Sequence, residues 1–532
     1  MQRINLIYPE CRRFTSNMST HRIPGLAITH AGLPILGEIL RLKGYDVKIF
    51  DESIAPVSLD TLADADLVGI SINALMANQG YRLADEMRER GVPVAIGGVH
   101  ASLLPEEAVH HADYLIRNEG EKTFPALLEA LGENSPLGGI PGLSYHVNGK
   151  VKNNRKRPYM ANLDANPFPN WDLIEGYYDP LVSPLSSMIY FTQASRGCPA
   201  ACNFCSITRA FGQKYRHRSA ENVVDEILAN RRPGQDILFF HDDNFVGDKD
   251  YAKELLEEMI RRDAVPAAGW HSQMRADVAE DPELLDLIKR TNCIAATFGF
   301  ESVNPRTLEY MKKGQTVEDI KKCIEAMHAL DVFVIGFFVL GSDEDDTGTI
   351  HETLDFAKTS GVDFAGFMPL TPFPGTPLYK ELDDQGRIFC KNWDLYDVEH
   401  VVFYPERMTP YELYSETLKC YRKFYTPALN TRRIRKLLRR PDRTTAHEFF
   451  FMTWPLFKRY YYQKELLANR DYIRAIKRLP KNGDRVPEDD EKLNETLDFP
   501  ATRKTLALHD HLTQRNIRKF WKLGVDTLRG RG

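Results

Sequence analysis

The sequence predicts an α/β protein with two parallel β-sheets and a mainly helical C-terminal region. Short apolar runs alternate with helical patterns over residues 1–140 and again over 186–405, as in sheets whose parallel strands are joined by helices. A proline-rich connector, residues 141–185, separates the two series, and residues 406–532 are basic and aromatic. We therefore expect a doubly wound domain, a connector, a barrel-like domain and a helical C-terminal domain.

Five strands are predicted in the first series: Ile4–Tyr8, Val47–Phe50, Leu67–Ser71, Val94–Ile96 and Tyr114–Ile116. The helices between them include 34–43 and 78–90, each followed by a glycine that suits a left-handed helix end. Ligands of doubly wound sheets bind beyond the carboxyl ends of the strands. Those ends here carry polar residues or glycines, which indicates a ligand crevice, although tight turns alone would also explain the Gly97-Gly98 pair.

Six further strands are predicted in the second series: 188–194, 237–241, 268–274, 294–300, 333–340 and 364–370. Helices are predicted between them at 220–231, 250–262, 282–290, 317–330 and 347–359. Six βα steps without a reversal favour a curved, barrel-like parallel sheet. The active site of such a sheet forms from the loops that follow the strands.

The first of those loops contains Cys198, Cys202 and Cys205, which are three of the eight cysteines in the chain. Clustered thiolates bind zinc or iron–sulfur clusters. A structural zinc site would need a fourth cysteine or histidine at a usual spacing, and the nearest histidine is His217. Three thiolates instead suit a cluster with one iron open to an outside ligand. The other five cysteines are scattered, and we expect them to be ordinary thiols.

The spacing Cys-x3-Cys-x-aromatic-Cys, with Phe204 as the aromatic residue, resembles that of the radical S-adenosylmethionine (SAM) superfamily. The resemblance implies a 4Fe-4S cluster on the three thiolates and SAM on the fourth iron. It also implies one-electron cleavage of SAM to methionine and a 5′-deoxyadenosyl radical, with electrons from an external donor such as flavodoxin or ferredoxin.

Segments after other strands also resemble parts of this family that line the SAM cleft, among them Gly341–Glu344 and the proline-rich rim 371–377. Where the family usually has Gly-Gly-Glu, this chain has His241-Asp-Asp. N-capping of the next helix is the alternative role for Asp242, Asp243 and Glu344. The SAM-binding residues that the resemblance implies are Phe204, Asp242, Asp243, Gly299 and Glu301.

The order of the domains resembles the cobalamin-binding class of radical SAM enzymes over roughly residues 1–425. The segments 97–100 and 113–121 carry this resemblance, with Asn118 where glycine is usual. It implies a Rossmann-like cobalamin-binding domain. The motif that supplies a histidine to cobalt in other enzymes has only a partial match at His146, so we expect no histidine ligand from it. The cobalamin-binding residues implied are Ser71, Asn73, Gly97, Gly98, His100, Glu119, Gly120 and Glu121.

Two chemistries use this pair of domains: methylation of an unactivated carbon, and oxidative cyclisation or ring rearrangement. We predict C-methylation of a small-molecule or lipid-like substrate. A methylthiotransferase would carry three further cysteines in the N-terminal domain, whereas only Cys11 precedes Cys198. A non-enzymatic cobalamin-binding regulator would have no use for the cysteine loop.

Charge is segregated along the chain. Residues 421–480 contain 16 Lys+Arg and 4 Asp+Glu, a local charge of +12, so the remaining residues sum to −17 within the net charge of −5. This basic, aromatic segment suits anionic lipid, nucleic acid or packing on the acidic remainder of the protein. We expect packing or peripheral membrane contact rather than nucleic acid. Since no signal peptide or membrane-spanning run is evident, we expect a cytoplasmic protein.

Overall fold

The computed structural model describes residues 2–10, 30–179, 183, 189–438, 469–484 and 497. Cys11 and residues 439–468 of the basic segment lie outside the described residues. The described chain forms two sheets with helices packed on them, followed by C-terminal helices.

The N-terminal sheet has the strand order β2-β1-β3-β4-β5-β6-β7. Its first five strands are parallel, and the last two are antiparallel. The five predicted strands are confirmed to within a residue or so at each end. The strands are β1 Arg3–Tyr8, β2 Asp46–Asp51, β3 Leu67–Ser71, β4 Val94–Gly97, β5 Tyr114–Ile116, β6 Leu143–Val147 and β7 Lys150–Asn153.

The hairpin β6–β7 differs from the expectation of a separate connector, because it extends the N-terminal sheet. Leu143 and Tyr145 of β6 are buried in the same hydrophobic cluster as Ile116 of β5. Burial of these apolar side chains explains why the hairpin docks on the edge of the sheet rather than standing free.

Helices cover both faces of this sheet: α1 Gly32–Leu42, α2 Leu59–Ala63, α3 Ala77–Glu89, α4 Val99–Leu103, α5 Pro105–Ala108 and α6 Thr123–Gly132. Gly44 and Gly91 follow α1 and α3 with φ of 90° and 77°, the left-handed geometry predicted for these helix ends. β1 lies between β2 and β3 in the sheet. The connection from β1 to β2 therefore runs in one direction across the sheet, and the connection from β2 to β3 runs in the other. That change of direction opens a crevice at the carboxyl ends of the strands.

The second sheet has six parallel strands in sequential order, with the first and last strands at its two edges. This arrangement is the open, barrel-like sheet predicted from the sequence. A two-stranded antiparallel ribbon, β9–β10, follows the first strand. The strands are β8 Ile189–Thr192, β9 Ser195–Arg196, β10 Arg216–His217, β11 Ile237–Phe240, β12 Trp270–Met274, β13 Cys293–Glu301, β14 Phe333–Leu340 and β15 Phe364–Pro369.

The remaining helices surround this sheet or follow it. They are α7 Ile207–Ala210, α8 Ala220–Asn230, α9 Lys249–Arg261, α10 Pro282–Arg290, α11 Pro305–Tyr310, α12 Val317–Ala329, α13 Thr347–Thr359, α14 Pro377–Asp384, α15 Pro410–Phe424, α16 Pro427–Leu438 and α17 Arg470–Ile476. No helix in the described part of the chain is long and apolar enough to cross a membrane.

Helix α15 covers the edge strand β15. The Tyr421 hydroxyl accepts a hydrogen bond from Phe367 N at 2.9 Å. The Tyr425 hydroxyl accepts one from Ala365 N at 3.2 Å and donates one to Ala365 O at 2.9 Å. These bonds occupy backbone groups that an open sheet edge would otherwise leave without a partner.

Replacing Tyr425 with phenylalanine is expected to lower the free energy of unfolding by about 1–3 kcal/mol, because the buried N–H and C=O of Ala365 lose their partner. Denaturation in guanidinium measures the change. Tyr411→Phe is the matched control, since Tyr411 lies on the same helix with its ring 4.9 Å from Lys477 rather than on the strand. Equal losses in the two variants would contradict the assignment.

The described part of the basic segment packs on the protein. On α16, Arg432 donates to Gly361 O at 2.9 Å, and the Lys436 ammonium lies 3.3 Å from the Asp363 carboxylate. The Arg433 guanidinium lies over the Phe364 ring at 4.7 Å. These contacts are those expected if the basic residues pack on the acidic remainder of the chain.

Candidate active site

The cysteine loop is closed at its base by the ribbon β9–β10. Arg196 lies opposite Arg216, so residues 197–215 form a loop between the two short strands. Cys198 N donates to Gly212 O at 3.4 Å. Gly197 has φ of 86°, and a Cβ there would lie 2.6 Å from the Lys214 carbonyl oxygen. The turn into the loop therefore requires glycine.

Cys202 is buried, and Cys198 and Cys205 are half-buried. Burial raises the pKa of Cys205 to about 12 and also raises the pKa of Cys202, and charge on neighbouring thiols raises both further. The three thiols therefore lie near enough for their charges to interact. In the described residues, no set of three or more Cys, His, Asp or Glu side chains converges on a single metal ion. In an iron–sulfur cluster each thiolate has its own iron, so the thiols need not converge on one point.

Two cations lie beside Cys202. Lys313 and Arg275 act to lower its pKa, against the effect of burial. Arg275 is fixed by a 2.6 Å hydrogen bond to Lys313 O. Positive charge favours the thiolate, the form of cysteine that binds metal.

Glu301 and Lys313 form a buried ion pair at 2.7 Å. Burial lowers the pKa of Lys313, but the Glu301 carboxylate outweighs this effect, and the net pKa is raised. A Cβ on Gly299 would lie 2.3 Å from the Glu301 carboxylate. Gly299 thus leaves room for an ion pair at the end of β13, next to Cys202.

Asp242 holds the beginning of the ribbon, since its carboxylate accepts hydrogen bonds from Ala194 N at 3.0 Å and from the Ser195 hydroxyl. Burial raises its pKa to about 6. Burial, together with the charge of Asp242, raises the pKa of Asp243 to about 7. Asp243 in turn raises the pKa of Cys205, so its carboxyl lies within electrostatic range of that thiol.

The capping role considered for Asp242, Asp243 and Glu344 is wrong. Asp248 caps α9 and Asp346 caps α13. Glu344 pairs with Arg407 at 3.0 Å. The following helices begin several residues later than the strand ends, and Asp242 instead accepts hydrogen bonds at the beginning of the ribbon.

Phe204 is half-buried against the main hydrophobic core, within the loop itself. The proline-rich rim reaches the N-terminal domain, because Gly375 packs closely against Leu103 of α4. Gly375 has φ of 77°. The rim therefore contacts both domains.

Ser71, Asn73, Gly97, Gly98 and Gly120 lie at the carboxyl ends of the N-terminal strands, as predicted. The Asn73 side chain accepts from Met76 N at 3.2 Å. Gly98 has φ of 98° and lies directly against the backbone of Ile72. These residues lie at or beyond the carboxyl ends of β3, β4 and β5, the edge at which ligands of doubly wound sheets bind.

Asn118 has φ of 62°, which explains why its position suits glycine. His146 lies on the edge hairpin, with its Nε2 2.9 Å from Val109 O. The three other residues implied for cobalamin lie at contacts with the second domain. The His100 ring packs edge-on against Trp393 at 5.0 Å. Glu119 and Glu121 pair with arginines of the ribbon.

His30 is exposed and His241 and His271 are half-buried, and none of the three was predicted to contribute to the site. His241 lies with its ring centroid 4.8 Å from that of Phe191 and 6.3 Å from that of His30. Burial lowers the pKa of His241 to about 3 and that of His271 to about 4. The sequence offered a signal only at His241, which directly follows the apolar strand β11, whereas Ser272 and Gln273 follow His271 in β12.

The contribution of His271 to stability is expected to fall as the pH drops from about 6.5 to 4, because the unfolded chain binds a proton that half-buried His271 resists. This histidine alone accounts for about 3 kcal/mol over that range. Its Nε2 lies 2.8 Å from Thr297 Oγ1. His271→Gln should remove this contribution, so the unfolding free energy of the variant relative to the wild type should rise toward pH 4, measured by urea denaturation between pH 7 and 4. An unchanged slope would contradict the assignment.

A cavity with an empty volume of about 360 Å³ lies between the first domain, the connector and the base of the ribbon. That volume includes open solvent, and the enclosed space has room for about one water molecule rather than a substrate. Its walls combine apolar and charged groups. They include Ile35, Leu163, Pro167, Gln193, Arg196 and Arg218.

Two family models match the chain: the radical SAM superfamily over residues 192–357 and the B12 binding domain over residues 24–128. The first begins at the end of β8 and contains the cysteine loop, and the second contains the N-terminal crevice. The chain belongs to the cobalamin-binding radical SAM enzymes. Its cofactors are a 4Fe-4S cluster, SAM and cobalamin.

Relatives of this radical SAM enzyme include methyltransferases and cyclases. An uncharacterized methyltransferase of Pyrococcus horikoshii is 29% identical over 76% of this chain and 89% of its own. Bacteriochlorophyllide d C-12(1)-methyltransferase of Chlorobaculum tepidum is 29% identical over 74% of this chain and 81% of its own. The anaerobic magnesium-protoporphyrin IX monomethyl ester cyclase of Cereibacter sphaeroides is 27% identical over 73% of this chain and 65% of its own.

Two solved structures share the fold of this radical SAM enzyme. OxsB, a cobalamin-dependent SAM radical enzyme, superposes with a TM-score of 0.64 and 15% identity, covering 98% of this chain and 84% of its own. The methyltransferase TsrM of Kitasatospora setae superposes with a TM-score of 0.59 and 20% identity, covering 72% of this chain and 78% of its own.

The side chains of this radical SAM enzyme fit the cluster. Three thiols lie in one loop, and two cations beside the buried thiol favour its ionised form. Thiolates are the ligands of iron–sulfur clusters.

Proposed function

We propose that this enzyme transfers a methyl group to an unactivated carbon of a small-molecule or lipid-like substrate. The observation that carries the proposal is the direct join between the two cofactor domains, where Arg196, two residues before Cys198, pairs with glutamates after strand β5. When bound, the cluster supplies one-electron cleavage of SAM, and cobalamin supplies the methyl group. Two of the relatives described above are methyltransferases, which supports this choice.

We propose that Cys198, Cys202 and Cys205 hold the cluster, with Lys313 and Arg275 partly offsetting the effect of burial on the pKa of Cys202. The turn at Gly197 and the hydrogen bond from Cys198 N fix the beginning of the loop. These contacts place the thiols before any iron binds.

The SAM-binding residues are proposed to be Phe204, Asp242, Asp243, Gly299 and Glu301. Asp243 suits the amine of the cofactor, because a carboxylate beside the cluster accepts hydrogen bonds from an ammonium group. Bound ammonium would also favour the ionised form of this carboxyl. Asp242 acts indirectly, because its hydrogen bond from Ala194 N holds the beginning of the ribbon. Gly299 leaves space beside Glu301.

Cobalamin is proposed to bind over Ser71, Asn73, Gly97, Gly98 and Gly120. Glycines there let the backbone approach a large ligand, and amides at the start of α4 can donate to it. His100, Glu119 and Glu121 remain predictions for this role, and their side chains face the second domain.

Oxidative cyclisation is the second candidate, because the cyclase relative matches 73% of this chain. Both reactions require SAM cleavage and electrons from an external donor such as flavodoxin or ferredoxin. They differ in the product, since only methylation adds a carbon to the substrate.

The deciding experiment uses enzyme loaded anaerobically with iron, sulfide and cobalamin, and SAM carrying a trideuterated methyl group. The loaded enzyme is incubated with metabolite extract from cells that lack the gene, and products are followed by mass spectrometry. Methylation adds the labelled methyl group to one metabolite, whereas cyclisation removes hydrogen and adds no label. 5′-Deoxyadenosine formation with neither change, across polar and lipid extracts, would overturn both assignments.

We also propose that any peripheral membrane contact involves the basic segment 421–480 beyond α16, because α16 itself packs on the protein. Sedimentation with vesicles of anionic lipid tests this. Binding that weakens at high salt supports the proposal, and absence of binding at low salt overturns it.

A further inference from the structure

A buried cluster of four charged side chains joins the two cofactor domains. Glu119 and Glu121 follow β5 of the cobalamin domain, and Arg196 and Arg216 form the ribbon at the base of the cysteine loop. The Arg196 guanidinium lies 3.2 Å from the Glu119 carboxylate and 2.6 Å from the Glu121 carboxylate. The Arg216 guanidinium lies 2.7 Å from Glu119. We call these four residues the domain clamp.

The domain clamp is nearly inaccessible to water, since each of its side chains is at most 9% exposed. It contains two positive and two negative groups, so its charges balance. Burial raises the pKa of Glu121, but the Arg196 guanidinium outweighs this effect, and the net pKa lies below the usual range. Buried ion pairs of this kind need close geometry, because both charges have lost their water.

The connector completes the domain clamp. Met160 N donates to the Glu119 carboxylate at 2.6 Å, and Met160 O accepts from the Arg216 guanidinium at 2.8 Å. The same guanidinium lies over the Tyr159 ring at 5.0 Å and donates to Phe211 O at 3.0 Å. Arg196 is thus held by the cobalamin domain. Arg216 is held by the cobalamin domain, by the connector and by the cysteine loop.

The two arginines are opposite each other in the ribbon, so the domain clamp holds both ends of loop 197–215 at once. Arg196 is two residues before Cys198 in the chain. A shift of either glutamate would therefore move the first thiol relative to the N-terminal crevice.

We propose that Glu119, Glu121, Arg196 and Arg216 are positioning residues that set the separation and orientation of the cluster-binding loop relative to the cobalamin crevice. The positioning role rests on the proposed function, because it presupposes that both cofactors bind. The ion pairs of the domain clamp do not depend on that function. The domain clamp also gives Glu119 and Glu121 a role that differs from direct contact with cobalamin.

The test uses the full chain with Glu119→Gln, Glu121→Gln and Arg196→Lys, each changed singly. Arg196→Lys keeps the charge and loses the planar guanidinium, whose Nη1 contacts both glutamates and whose Nε donates to Gln193 Oε1 at 3.0 Å. The matched control is Asp363→Asn, which removes a buried carboxylate paired with Lys436 just before β15, away from the domain contact. Hydrogen–deuterium exchange of the amides in 197–215 is measured in every variant. Pulsed electron paramagnetic resonance then measures the separation of the reduced cluster from cob(II)alamin.

We expect the three clamp variants to exchange several-fold faster in 197–215 and to show a broader cluster–cobalt distance distribution, with iron content retained. Asp363→Asn should leave both measurements as in the wild type.

Unchanged exchange and an unchanged distance in the clamp variants would overturn the proposal. Loss of cobalamin with an unchanged loop would also overturn it, because that result assigns the glutamates to the ligand. Neither measurement requires the substrate, so the result stands apart from the test of methyl transfer. If a glutamine variant does not fold, Arg196→Lys still decides.

Discussion

Replacing Cys202 with alanine is expected to abolish the cluster and to reduce SAM cleavage to background. Cys202 is the buried thiol of the loop, and it is the one beside Lys313 and Arg275. Two thiolates cannot hold three irons of a cluster in place. Loss of a small buried side chain costs only about 1 kcal/mol, so the protein should still fold. Iron and sulfide analysis and detection of 5′-deoxyadenosine under reducing, anaerobic conditions measure the effect.

Cys323→Ala is the matched control for this variant. Cys323 is fully buried in α12 and lies outside the cysteine loop. Its replacement removes the same volume from the core and should leave iron content and SAM cleavage intact. If Cys202→Ala kept a full cluster and cleaved SAM at the wild-type rate, the cysteine loop would not be the cluster site.

The fold was largely predictable because its information is local. Apolar runs of strand length and glycines at helix ends place the eleven predicted strands in two sheets, and each was found. The hairpin β6–β7 shows the limit of that information. Asn148-Gly149 between its strands is a typical hairpin turn, but docking on β5 depends on Leu143 meeting a hydrophobic cluster formed by distant residues.

The candidate site was predictable only where its residues are close in sequence. Three thiols within eight residues identify the cysteine loop. By contrast, Lys313 reaches Cys202 from the segment after α11, about 110 residues away, and Glu119 reaches Arg196 across 77 positions. Charges of this kind are common on surfaces, so the sequence does not distinguish a buried pair from an exposed one. The fold alone reveals that they meet.

Replacing Gly98 with alanine is expected to damage the cobalamin crevice and to lower the free energy of unfolding of its domain by at least about 3 kcal/mol. Gly98 has φ of 98° and ψ of −179°, a region that other residues hardly enter. A Cβ there would lie 2.4 Å from Ile72 O. That oxygen accepts the hydrogen bond from His100 N at 3.2 Å that begins α4. Relief of the clash therefore requires β3 and α4 to separate where their ends form the crevice.

Gly91→Ala separates this effect from backbone strain alone. Gly91 also has a positive φ, 77°, but a Cβ there would meet nothing within 4 Å. It should cost about 1 kcal/mol and leave cobalamin binding unchanged. Thermal unfolding and the absorbance of bound cobalamin after gel filtration measure both properties. Since the cluster loop is about 100 residues away in the chain, Gly98→Ala should retain iron while losing cobalamin. Retention of both cofactors at wild-type levels would show that the close approach of Gly98 to Ile72 does not shape the crevice.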